Sequence, residues 1–399
     1  MVVLDTSLQK RIGEVLSMLS YLLEMFRQNS VGIPLITRKV VLYHTANKIA
    51  YIPPLTSLFA KIPILNLIVA LIFWKPFFAV LFAPGLVCIL IAILFIIWFE
   101  RKVTARVQWR YGPLEVSRNV GGIIQPMADG MRYFFQEVIV HREAHKPYFL
   151  QFPLITFLPV LLPILVIPAG TIYAINTPYS ILVAIALISL IPMIIVAIGW
   201  ASNSKYAYVG SLREAMMYFS YEIVLMIAAM SMVIIYGSAN AIEIVKEQST
   251  IPGILLNPFA ALAFFVAIAM ATSRFPFEIP EADQEVVFGP FIEYTGIIFG
   301  VVMTLAYEKL YLLCMLFSIL FLGGWNGPFI PPLGDLSPAL WLFLKTIGLM
   351  MIFVFFRTFY ARYRLDQALK IGWSKLMALA MVALITGLGL GAVNVMGWL

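Results

Sequence analysis

The sequence predicts an all-α fold, a polytopic membrane bundle of about eight transmembrane helices, and three observations carry that prediction. Of 399 residues, 62 % are hydrophobic and 12 % charged, far from the roughly half apolar and quarter charged balance of soluble domains. Runs of about twenty apolar residues recur, the length a bilayer core requires of a helix. These runs are continuous rather than alternating, unlike barrel strands, and an open sheet would leave backbone groups unpaired in lipid.

Apolar runs between polar breaks place the spans at about 76–98, 152–174, 180–199, 216–236, 255–272, 294–322, 339–360 and 374–396. Pro159, Pro163 and Pro168 predict a kink in the second. Lys and Arg number fourteen in the odd-numbered connections and one in the even-numbered. That asymmetry orients the odd loops, including 99–151 and 273–293, toward the cytoplasm of a multi-pass protein of the cell membrane.

Residues 1–75 break the charge pattern, with seven Lys and Arg before Lys75, and read as an N-terminal extension preceding a membrane domain over 76–399. Leu8, Ile12, Val15, Leu19, Leu22, Leu23 and Phe26 recur at helical spacing, as a helix lying on the membrane surface requires. The alternative is an extra span at 55–74, although Lys61 interrupts it. Lys10, Arg11 and Glu14 interrupt the apolar core that a cleavable signal peptide needs. Within 121–140, Ile124, Met127, Met131, Phe134, Phe135 and Val138 share one face. Asp129, Arg132, Gln136 and Glu137 share the other, and Pro126 suits a first turn. This segment reads either as an amphipathic helix along the membrane or as a solvated connector with one apolar face.

Cys88 and Cys314 both lie in apolar runs, and His44, His141 and His145 lie outside them. No disulfide framework, clustered metal ligands or haem pair is expected, and so no redox centre in this chain. The net charge of +7 follows from topology and does not call for a nucleic acid.

Chemistry is expected where charge meets apolar helix, because an ionised group at mid-bilayer costs about 2.5–3.5 kcal/mol and needs a partner or a polar lining. Glu222 stands about two turns into the fourth span, with Arg213 and Glu214 at that helix's mouth. It reads either as a neutral hydrogen-bonded carboxyl or as a proton-relay group. Glu308 and Lys309 interrupt the sixth span and Lys345 the seventh, as a structural ion pair or as part of a hydrated relay. The stretch from Arg274 to Glu285 holds Glu278, Glu281, Asp283 and Glu285 among prolines and aromatics. Close carboxylates titrate as a coupled set, which suits sensing of a nearby charge change.

Several ordered motifs resemble a known family. They are Glu100-Arg101-Lys102, Gln108-Trp-Arg110-Tyr-Gly112-Pro113, Gln125-Pro126-Met-Ala-Asp129, Gly199-Trp-Ala-Ser-Asn-Ser-Lys205-Tyr206, Ser220-Tyr-Glu222, Arg274-Phe-Pro-Phe-Glu278-Ile-Pro-Glu281-Ala and Glu293-Tyr-Thr-Gly296. Phe321-Leu-Gly-Gly-Trp325 and Arg362-Tyr-Arg364-Leu-Asp366-Gln367 follow. Over about 76–396 the chain resembles the membrane subunit of respiratory complex I beside the quinone chamber, called H in bacteria and subunit 1 in mitochondria.

The resemblance implies a subunit that holds no redox group and binds quinone as a substrate in a tunnel. Its implied partners are the peripheral-arm iron–sulfur and quinone-site subunits, and the antiporter-like and small membrane subunits. Carried over, Arg213, Glu222, Glu278, Glu281, Asp283 and Glu285 would line or feed a proton-coupling funnel. Arg101, Arg106 and Arg110, with Arg213 grouped beside them, would line the chamber or dock the peripheral arm. Two departures stand out: Glu278 where the family often has Asp, and Ala306 where a mid-helix Glu is expected. Alternatives are the corresponding subunit of an energy-converting hydrogenase and, from another class, a stand-alone ion transporter. The purified chain is expected to lack flavin, haem and iron–sulfur absorbance, and a stoichiometric chromophore in its visible spectrum would contradict this.

Overall fold

The computed structural model describes residues 70–395, residue 68 and part of the segment 17–30. Among the described residues it is all helical, with only two isolated bridges and no sheet. From Lys75 onward the α-helices longer than four residues are, in chain order, α1 (Lys75–Leu81), α2 (Leu86–Val107), α3 (Gln125–Phe135), α4 (Lys146–Ile155) and α5 (Phe157–Val166). There follow α6 (Ser180–Ile188), α7 (Leu190–Ala201), α8 (Lys205–Tyr236), α9 (Ala241–Glu247) and α10 (Pro258–Ala271). The last four are α11 (Gly296–Phe321), α12 (Leu336–Phe359), α13 (Leu365–Lys370) and α14 (Met377–Val395).

Seven helical stretches among the described residues are long and apolar enough to cross a membrane. The expected fifth span is the shorter α10, 14 residues or about 21 Å at 1.5 Å per residue. Asn257 caps it, accepting from the Ala260 N–H at 3.1 Å, and Pro258 occupies its first position. The second span begins at Lys146 and ends at Val166 rather than 174, broken at Thr156 between α4 and α5. Pro168 and the tight turn pairing Ala169 with Ile172 stop it there.

Polar ends extend several helices beyond their apolar cores. The helix α2 runs through Glu100, Arg101 and Arg106 to Val107. The helix α8 begins at Lys205, so Arg213 and Glu214 lie inside it rather than at its mouth. Helix propensity does not fall where hydropathy does, since Glu, Lys and Arg are good helix formers. The helix α3 stops at Phe135, with Gln136 extended, so Gln136, Glu137 and Val138 of the expected amphipathic segment lie beyond it.

The long α8 packs along α7, α10 and α14. Small residues permit the close approach, as is usual where helices gain no hydrophobic advantage over lipid. A Cβ on Gly199 of α7 would lie 1.7 Å from Ser211 Oγ, and one on Gly372 would lie 1.7 Å from Ser220 Oγ. Gly372 sits in the wide-turned stretch Ile371–Leu376 that joins α13 to α14. The outer faces remain apolar, as Leu90, Met193, Met226, Ile385 and Leu388 illustrate by their exposure.

Of the N-terminal stripe, Leu22 and Phe26 are helical, and Phe26 is buried with its ring 5.1 Å from that of Trp74. Leu8, Ile12, Val15, Leu19 and Leu23 lie outside the described residues, as does 55–67 of the alternative extra span.

Lys345 caps a helix end. Its ammonium donates to the carbonyls of Leu322, Gly324 and Asn326 at 2.8–2.9 Å, just past the end of α11. Two substitutions test this packing by thermal denaturation in detergent. Gly372→Ala is expected to cost about 1–3 kcal/mol through overpacking against Ser220. Lys345→Met, which strands three carbonyls, is expected to destabilise by about 1–3 kcal/mol.

Candidate functional site

The site grows from the polar end of α2. Glu100, on a turn that continues an apolar helix, accepts hydrogen bonds from Arg274 Nη1 at 3.1 Å and Tyr307 Oη at 3.2 Å. It also pairs with Arg357, on the last turn of α12. Arg357 reaches onward to Glu278 at 3.2 Å, and the Arg274 guanidinium lies 4.1 Å from the centroid of the Tyr307 ring. One cluster thereby joins α2, α11, α12 and the acidic loop after α10. Burial makes it obligatory, since the Arg274 and Glu100 side chains are only 7 % and 12 % exposed, and truncating one partner of such a pair typically costs about 3–5 kcal/mol.

The loop carboxylates then diverge. Burial pushes Glu281 up to about 7, with Arg274 opposing and Glu214 and Glu278 reinforcing the rise. Burial also raises Glu278, against the pull of Arg357 and Arg274. Glu285 moves the other way, held below the usual carboxylate range by the hydrogen bond from Arg213 at 2.5 Å and by Arg362 at 2.9 Å. Asp283 is exposed on the single turn Asp283–Val286. Arg213 is thus brought to the acidic loop rather than to the arginines of α2.

Deeper in the bundle lies a second cluster. Lys309 Nζ donates to Tyr221 Oη at 3.0 Å and stands 3.9 Å from Glu214, both charged side chains being 3 % exposed. Ser273 Oγ donates to Glu214 at 3.5 Å. Glu222 is half-buried one residue beyond Tyr221. Glu308 points elsewhere, because adjacent helix residues differ by about 100°, and there it accepts from Thr304 Oγ1 at 3.3 Å. Lys345 stays apart from all of these at the other end of α11.

The third feature is an open chamber of about 630 Å³ between α2 and α3, lined by Glu100, Arg101, Arg110, Tyr111, Asp129 and Arg357 among others. Arg101 pairs with Asp129, to which Gln125 also donates at 2.9 Å. Burial works against the Asp129 charge, but hydrogen bonds from Arg101 and Gln125 outweigh it and lower its pKa. Arg110 donates to Gln108 at 2.8 Å, and Arg106 is exposed with no carboxylate partner among the described residues. Tyr133 of α3 packs on Gly300, while Ile124, Met127, Met131, Phe134 and Phe135 present an exposed apolar face. The volume and the charged and apolar residues that line the chamber suit a small molecule with polar groups.

Sequence reasoning overlooked Tyr307 and Arg357, and it cited Glu100 and Arg274 only within motifs. Arg357 ends an apolar run and so looks like an ordinary flank at the membrane surface. Its partners lie 257 and 79 residues away, and no spacing rule links them.

These features define a class: a polytopic helical membrane subunit with buried, paired charges near one end of its bundle. Among the described residues, no three His, Cys, Asp or Glu side chains converge as a metal would require. Residues 79–388 match the family described as NADH dehydrogenase. The chain is 37 % identical over 305 residues to NADH-ubiquinone oxidoreductase chain 1 of Chondrus crispus, covering 75 % of this chain and 93 % of that protein. It is 34 % identical to the second H-type subunit of NADH-quinone oxidoreductase from Rhizobium etli, over 80 % of this chain and 98 % of the relative. Against the H-type subunit of the same enzyme from Geobacillus thermodenitrificans the identity is 33 %, with 77 % and 93 % covered. The chain belongs to this family, the H-type or chain 1 membrane subunits of complex I.

The raised pKa of Glu281 has a stability consequence with a definite sign. A carboxyl whose folded value, about 7, exceeds its unfolded value, about 4.3, favours the folded state most when both are protonated. Its contribution is lost as pH rises between the two. The melting temperature of the wild type is therefore expected to fall relative to Glu281→Gln from about pH 4.5 to about pH 7, and parallel curves would contradict the shift.

Proposed function

We propose that this chain forms the quinone entry tunnel and chamber of a proton-translocating, complex I-type quinone oxidoreductase and links quinone reduction to proton pumping. The observation that carries this reading is the junction of the chamber with the buried charge cluster: Glu100 and Arg357 line the first and anchor the second. A quinone is an apolar tail with a polar head. The exposed apolar face of α3 suits the tail, and Arg101, Arg110 and Arg357 offer donors to the head's carbonyl oxygens.

Quinone reduction to the quinol consumes two electrons, delivered by a partner subunit, and two protons. Between arrival of the electrons and protonation the head carries extra negative charge, and that charge beside Arg357 alters its hold on Glu100 and Glu278. Glu278 in turn belongs to the loop of Glu281, Asp283 and Glu285. A carboxyl near 7, as at Glu281, is half ionised around neutral pH and responds to small changes in field. Glu222 is the intramembrane relay carboxylate of this reading, with Glu308 and Lys309 as further relay candidates. Lys345, which spends its three donors on carbonyls, acts as a cap.

Quinone is bound as substrate, and no tightly held cofactor is assigned to the chain. The partners are peripheral-arm iron–sulfur and quinone-site subunits and the antiporter-like and small membrane subunits. The 99–151 and 273–293 loops face the cytoplasm beneath the peripheral arm.

Glu222→Gln in an assembled complex keeps size and hydrogen bonding but removes the titratable proton. It is expected to lower quinone reductase turnover or protons pumped per electron by about tenfold. Full turnover and full pumping would reduce Glu222 to a structural residue. Cysteines placed in the two loops are expected to resist labelling from outside intact cells, and outside labelling of both would reverse the topology.

A further inference from the structure

We propose that Lys309 is a charge bridge that joins the acidic loop to Glu222, since it lines one cavity with each. The inference rests on the proposed coupling role and adds the group that carries it. Two small cavities, each of about 10 Å³ and so with room for about one water, lie on either side of Lys309. The first is lined by Glu214, Ser273 and Glu281, and the second by Tyr221 and Glu222. Lys309 and the methyl of Ala271 line both.

The geometry suits a movable charge rather than a locked pair. At 3.9 Å the ammonium is too far from Glu214 for a direct hydrogen bond, and its one protein acceptor is Tyr221 Oη at 3.0 Å. An ammonium has three donors, so two are left for the cavities on its flanks. The ion is 3 % exposed, so its charge needs compensation from the carboxylates facing it: Glu214 on α8, Glu281 on the loop and Glu222 on α8. Tyr221 and Ser273 are the other polar groups there, Arg274 stands beyond Ser273, and Tyr218 adjoins Glu222.

Exchange of compensation gives the coupling. When Glu281 or Glu214 takes up a proton, it loses its charge and releases Lys309 from the loop side. The unneutralised ammonium then favours the ionised form of Glu222, which gives up a proton to its own cavity. One proton is gained on the loop side and one is lost on the membrane side. Lys309 stays protonated, and no electron moves. The lysine is a positioning residue that acts through the carboxylates.

The test uses assembled complex in sealed vesicles, reading quinone reductase turnover with a protonophore present and protons translocated per electron without it. Lys309→Met is expected to lower the proton ratio about tenfold, in the range of typical coupling energies, while Lys309→Arg retains it. The double variant Glu214→Gln with Lys309→Met removes both buried charges and separates the roles. An ion pair that served only packing would be rescued by the charge-neutral pair, whereas a bridge would still not pump. A wild-type proton ratio in the double variant, or in Lys309→Met, overturns the bridge. If Glu222→Gln is defective while Lys309→Met pumps normally, the bridge alone falls. If Glu222→Gln also pumps normally, the relay reading falls with it. Should Lys309→Met fail to assemble, the double variant and Lys309→Arg decide between bridge and packing.

Discussion

Glu100 brings a carboxylate into the body of a protein that is otherwise built from apolar helices, and the surroundings are arranged to compensate it. Two arginines and a tyrosine converge on it from three other segments. Desolvating each ion costs several kcal/mol, which attraction offsets only with good geometry and further hydrogen bonds. The cluster meets that condition through shared partners, with Arg357 held between Glu100 and Glu278. Its position then fixes where α2, α12 and the acidic loop meet, and hence where the open chamber ends.

The helix α8 supplies the second constraint. Gly199 opposite Ser211 and Gly372 opposite Ser220 draw its neighbours close, which replaces the hydrophobic drive that lipid does not offer. The same continuous helix carries Arg213 to the acidic loop, Glu214 to Lys309, and Glu222 to the deeper cavity. A break at residue 216, where the apolar run begins, would have left the first two on a loop and uncoupled from the third. The rigidity of one helix thus spaces three charged groups along the path from the loop into the bundle.

Charge within the acidic loop is divided unequally among its carboxylates. Glu285 is pinned as an anion by Arg213 and Arg362, while burial brings Glu281 to about 7. Four carboxylates in eight residues would repel one another in solvent. Here the arginines take up part of that charge and burial suppresses another part, so ionisation differs among neighbours.

The class of fold and most of the span positions were legible in the sequence, because a bilayer forces continuous apolar runs that are visible in any linear reading. Glu222, the acidic loop and Lys309 were legible too, since ionisable residues within apolar surroundings are rare enough to be noticed individually. The start of α8 was not, because hydropathy ends before helix does and Lys205 to Met216 form helix as readily as the apolar residues after them. Lys345 reads in the sequence as an ion-pair or relay group, and its hydrogen bonds to carbonyls at the end of α11 are marked by no side-chain pattern. Partnership came from the packed helices alone: Arg357 with Glu100 and Glu278, Arg213 with Glu285, Lys309 between two cavities. Electrostatic and hydrogen-bonded contacts act over a few ångströms of space, and helices packed side by side bring together residues that the chain keeps far apart.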